Sequence, residues 1–95
     1  MAAYFSQVSL DTPGVTQNFS PISSGTYNFT VTNNTTVLTF AVVFVSSTFI
    51  LAVSLAPGET FEKKGVVVNA GLPGAYCVYA SPGNTVDCFI SGLTA

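Results

Sequence analysis

The sequence contains no histidine, arginine or tryptophan. Its whole charge inventory is Asp11, Glu59, Glu62, Lys63, Lys64 and Asp87, or 6% of residues, against roughly 25% in a typical soluble domain. Without histidine, the usual general base and imidazole metal ligand are unavailable. The four carboxylates lie in or near turns and on one charged segment, at no spacing that suggests a catalytic pair. There is no G-x-S-x-G elbow, no Ser-Lys arrangement, no P-loop and no dinucleotide fingerprint. The chain is therefore expected to be no enzyme, with no catalytic residues, no cofactor and no metal site. Two lysines cannot neutralise a run of phosphates, which argues against nucleic acid as a partner.

No secretory signal is expected, because Ala2-Ala3-Tyr4-Phe5-Ser6-Gln7 offers neither a basic n-region nor an apolar h-region. The N-x-[ST] matches at Asn18, Asn28, Asn33 and Asn34 then read as accidents of composition. One uncharged stretch, Val37 to Ala56, is twenty residues long and could span a bilayer as a helix. Three features oppose that reading. Ser46-Ser47-Thr48 sits where a hairpin would turn, the flanks lack membrane anchors, and the residues are mostly β-branched or aromatic. Strands are expected there, and no membrane.

What the chain does hold is 48% apolar residues and a neutral polar complement of 10 Ser, 12 Thr, 6 Asn and 2 Gln. Ninety-five residues suit one domain, 1–95. Turn signals recur every 8–12 residues, at Asp11-Thr12-Pro13-Gly14, Ser23-Ser24-Gly25, Asn33-Asn34, Ser46-Ser47, Pro57-Gly58, Gly71-Leu72-Pro73-Gly74 and Ser81-Pro82-Gly83-Asn84. That spacing predicts an all-β antiparallel β-sandwich, Ig-like or jelly-roll-like, of about seven to nine strands with little or no helix.

Within it, Tyr27 to Val31 is expected to form a hairpin with Thr36 to Phe40 through a tight turn at Asn33-Asn34. Tyr27, Phe29, Leu38 and Phe40 would then share the buried face. The following runs, 41–45 and 49–53, are apolar on both faces. Their outward side is expected to lie beneath loops or to meet another subunit. Leu55-Ala56-Pro57-Gly58-Glu59 reads as a type II turn. Residues 60–68 carry Glu62, Lys63 and Lys64, as an edge strand blunted by charge does; docking to an acidic partner is the alternative.

Cys77 and Cys88 flank the Ser81–Asn84 turn symmetrically. If the loop has an even length, the two face each other across a hairpin, within disulfide range. The alternative is a pair of buried reduced thiols. Neither a metal site nor a redox centre fits, because there is no His, two thiolates do not complete a tetrahedral shell, and C-x-x-C before a helix is absent.

Three features together resemble the small β-sandwich decoration, or cement, proteins that coat tailed-bacteriophage heads. They are the Met1 start without a signal, the stretch LAPGETFEKKGVVVNAGLPG from Leu55 to Gly74, and YCVYASPGNTVDCFISGL from Tyr76 to Leu93. The resemblance implies a virion structural protein made in the host cytoplasm and placed on the capsid exterior. Its partner would be the major capsid protein or another virion protein, bound as a homo-oligomer that braces the shell. No family functional residue carries over. Other readings are a tail, baseplate or fibre component, a carbohydrate-binding module using Tyr4, Tyr27, Tyr76 or Tyr79, and a self-assembling filament subunit. The last strands and the segment Ala2 to Leu10 are candidates for edge pairing with a neighbour.

Overall fold

The computed structural model describes residues 2–78 and 84–95, and these contain strands but no helix. The strands are β1 (Ala3–Leu10), β2 (Gln17–Asn18), β3 (Gly25–Asn33), β4 (Thr39–Val45), β5 (Thr48–Leu55), β6 (Thr60–Val68), β7 (Pro73–Cys77) and β8 (Val86–Thr94). They form two four-stranded antiparallel sheets, ordered β1-β8-β3-β6 and β2-β7-β4-β5. The pairs β4·β5, β3·β6, β2·β7 and β1·β8 nest inside one another, as in a long hairpin rolled up on itself. That is the jelly-roll arrangement of eight strands, and it decides between the two sandwich types expected.

Alternation along the strands sets the core. On β3, Tyr27, Phe29 and Val31 are wholly buried, while Thr26, Asn28, Thr30 and Thr32 face outward. Opposite them, Ala41, Val43 and Val45 of β4 and Ala75 and Cys77 of β7 point into the same space. Each large apolar side chain buried this way contributes about 1.5–3 kcal/mol. A one-residue slip of β3 would turn all three to solvent, so the register is strongly specified.

The expected hairpin between residues 27–31 and 36–40 is not formed. β3 pairs with β6 and β8, and β4 belongs to the other sheet. Leu38 is 61% exposed, and Phe40 is half-buried on the outward face, so neither joins Tyr27 and Phe29 in the core. Residues 34–38 are instead an arch from one sheet to the other. The reason is Asn33, which continues the inward alternation of β3 and is fully buried. Its Nδ2 donates to the carbonyls of Val37 and Leu55, both at 2.9 Å. Its Oδ1 accepts from Thr35 N at 2.9 Å and Thr35 Oγ1 at 2.6 Å. Neither Asn33 nor Asn34 adopts the positive φ that a primed hairpin turn needs.

The Ser46-Ser47 and Pro57-Gly58 turns are formed as expected, whereas Pro73 and Gly74 of the expected Gly71–Gly74 turn belong to β7. β4 and β5 form a hairpin over the stretch that raised the membrane question, with a two-residue loop in which Ser46 takes φ 54°. Among the described residues, no helix is long and apolar enough to cross a membrane. Glu59 N donates to Ala56 O at 3.0 Å, with Gly58 at φ 80°, as a Pro57-Gly58 type II turn requires. β6 is an edge strand carrying an exposed Lys64–Glu62 ion pair at 3.4 Å.

Candidate interaction surface

Among the described residues, no group of three or more His, Cys, Asp or Glu is placed to hold a metal ion. A cleft of ≈ 190 Å³ lies between residues 45–50 and 67–70, lined by Val, Ser, Thr, Ile, Asn and Ala. It is smaller than ordinary ligand pockets of about 300–1,000 Å³ and has no acid, base or reactive nucleophile. Asp87 accepts from Ser9 Oγ at 2.8 Å, Asn34 Nδ2 at 2.6 Å and Thr85 Oγ1 at 3.1 Å. It therefore ties β1, the 34–38 arch and β8 together, a structural task.

The cysteines do not form the cross-strand pair expected of them. β7 and β8 lie in different sheets, so Cys77 neighbours Ala41 on β4 while Cys88 lies between Val8 and Val31. Both are free thiols buried in the core. The expected even loop between them falls largely on residues 79–83, outside the described residues. Burial raises both thiol pKa values, and Cys88, with Asp87 and Cys77 nearby, is pushed up to about 12. Such thiols stay protonated and unreactive at neutral pH.

The tyrosines divide. Tyr4 and Tyr27 meet edge-to-face at 5.5 Å on the inward side, and their hydroxyls donate to Ser20 O at 2.6 Å and Ser23 O at 2.7 Å. Burial, more than the neighbouring Tyr27, holds the Tyr4 pKa above its usual range. Tyr27 is core and Tyr4 packs against it, so neither ring lies open as a sugar platform; Tyr79 lies outside the described residues. Tyr76 faces outward and belongs to a different feature.

That feature is the outer face of the β2-β7-β4-β5 sheet. The register aligns Phe40 with Ser54, Val42 with Ala52 and Tyr76, and Phe44 with Phe49 and Gly74. Gly74 is small for a reason: a Cβ there would come within 2.7 Å of the Phe44 ring, which lies over it. Phe44 contacts Phe49 at 6.5 Å and Tyr76 at 6.4 Å between ring centroids. Val42, only 2% exposed, is packed on this face and takes no part in the core between the sheets. Phe49, at 66% exposed, forms the outer margin. No charged residue occurs in β4, β5 or β7. The two-sided apolar character of this hairpin is legible in the sequence, whereas the contribution of β7 is not, because the β4·β7 pairing is not local.

The outer face of the β1-β8-β3-β6 sheet is chemically different. It mixes Thr26, Asn28, Thr30, Thr32, Glu62 and Asp87 with exposed Val67 and Leu93 and a Phe5–Phe89 ring pair at 6.1 Å. Hydroxyl and charged groups interrupt its apolar area.

No protein-family model matches this chain, and no curated protein does. The functional reading therefore rests on the chemistry of the two faces and the strand edges.

Proposed function

We propose that the chain is a non-enzymatic structural protein of a virus particle, a decoration protein that binds the exterior of an assembled capsid and stabilises it. The observation that carries this reading is the uncharged aromatic face of β4, β5 and β7, where half-buried Phe44 lies between Tyr76 and the exposed Phe49. A contiguous apolar patch on a small protein marks a surface that another protein covers. Aromatic residues around a desolvated centre supply most of the energy in such interfaces. Jelly rolls recur in viral capsid and lectin domains, a fold-level analogy that supports the reading without deciding it.

In this reading Phe49 and Phe44 anchor the protein on the shell, and Ser and Thr hydroxyls at the margin complete the contact. The test begins with particles purified from cells that make the protein, in which mass spectrometry measures its copy number relative to the major capsid protein. High, stoichiometric occupancy is expected, along with failure of a Phe49→Lys variant to rebind stripped particles. A few copies per particle would instead assign it to the tail. Absence from particles, with glycan binding lost in Phe49→Lys, would replace the capsid by a carbohydrate.

A further inference from the structure

Each sheet has two outer strands, and three of these four edges are blunted. β6 carries Glu62, Lys63 and Lys64, and Gly65 at φ 66° makes a bulge there whose N–H donates to Asn28 Oδ1 at 2.9 Å. β5 bulges at Ile50, whose carbonyl accepts from Lys63 Nζ at 2.9 Å. β2 has only two residues. Charges, bulges and shortness are the usual devices against edge-to-edge pairing.

β1 has none of them. It is eight residues long, uncharged, free of proline and paired without a bulge to β8. Thr94 N donates to Ala2 O at 2.9 Å, so Ala2 and the even residues after it turn their peptide groups toward β8. Ala3, Phe5, Gln7 and Ser9 therefore turn theirs outward, and no backbone bond among the described residues reaches them. The nearby Ser20 is held by side chains on the inward face, its N–H by Ser6 Oγ and its carbonyl by Tyr4 OH.

We propose that β1 pairs antiparallel with β1 of a second copy of this chain, across a two-fold axis at Ser6. The two β1-β8-β3-β6 sheets then become one continuous sheet. The strand suits its own copy for two reasons. It carries no charge, so two copies meet without repulsion. With Ser6 on the axis, Ala3 faces Ser9 and Phe5 faces Gln7 of the second copy, so every outward residue is partnered, with about eight backbone hydrogen bonds (four pairs of two). Centring the axis on Phe5 or Gln7 leaves outward groups unpaired. The same pairing sets Gln7 of one copy beside Phe5 of the other, covering a ring that is 65% exposed in the single chain. This association is independent of what the β4–β5–β7 face binds.

Sedimentation of the purified full chain over a wide concentration series tests it. Gln7→Pro deletes an outward N–H at an edge position where proline is tolerated. Gln7→Lys adds a charge to the junction from each copy. The wild type is expected to dimerise, and each variant to weaken dimerisation at least about tenfold. Far-UV circular dichroism should be unchanged in both. If Gln7→Pro fails to fold, Gln7→Lys decides alone. A wild type that stays monomeric throughout, or a dimer that Gln7→Lys leaves intact, overturns the proposal.

Discussion

Asn33 makes four side-chain hydrogen bonds inside the fold, using both amide protons and accepting twice at its oxygen. Truncating it takes the acceptor from the buried Thr35 N–H and a donor from the Val37 and Leu55 carbonyls, and each unsatisfied buried group costs about 1–3 kcal/mol. Asn33→Ala is accordingly expected to lose about 2–4 kcal/mol in urea unfolding. The effect on surface chemistry should be small, because the residue touches neither outer face. Cys88 gives a prediction in pH. Its thiol rises from an ordinary 9.0 to about 12 in the folded chain, chiefly through burial. Between those values the unfolded chain has lost a proton that the folded chain keeps. The stability this represents is complete below the unfolded pKa and disappears as pH climbs toward 12. Urea midpoints should therefore fall steeply above pH 9. Cys88→Ala should flatten that decline, leaving the smaller part due to Cys77 and Tyr4, whose pKa values are also raised.

At the scale of the strand, Gly92 of β8 shows how neighbours dictate a residue. It lies opposite Tyr4 of β1 and Tyr27 of β3, and the two rings meet on that side of the sheet. A Cβ at Gly92 would meet the Thr26 carbonyl and come within 2.8 Å of Tyr27 Cδ1. The backbone cannot give way without breaking the ladder on both sides. Gly92→Ala should cost about 1–3 kcal/mol by overpacking, read as a lowered melting temperature. It should also loosen the 19–24 segment, since the hydroxyls of Tyr4 and Tyr27 hold Ser20 and Ser23 there. Faster amide exchange at residues 20–24 would show this, and unchanged exchange would separate the tyrosine bonds from the glycine.

For the whole molecule, the governing quantity is the scarcity of charge. A net charge of -2 and six ionisable acidic or basic side chains leave little for salt to screen. Contacts made through the Phe44–Phe49 face should weaken little in molar salt and be released by mild denaturant, which acts on apolar and peptide surface. Washing particles first in salt and then in urea, and following release on a gel, checks this. Ready release by salt alone would mean that Lys63, Lys64 or the carboxylates carry the attachment. Phe49→Lys should lower retention sharply while leaving the unfolding free energy within about 1 kcal/mol of wild type, since the ring is mostly exposed.

Local chemistry in the sequence determined some of the turns and the character of individual strands. The two-residue Ser46-Ser47 loop, the Pro57-Gly58 type II turn and the charged edge at Glu62, Lys63 and Lys64 are all settled by neighbours within a few positions. The both-faces-apolar character of β4 was legible for the same reason. What the sequence could not decide was which strand lies beside which. A period of two assigns Tyr27, Phe29 and Val31 to one face, but it reads the same whether the chain then turns back in the same sheet or crosses to the other. Only the tertiary structure separated these outcomes. There the buried amide of Asn33 finds its partners on an arch, β3 pairs with β8 far along the chain, and Cys77 and Cys88 fall in opposite sheets. Pairing of that kind is fixed by burial summed over distant segments, and no short window of residues contains it.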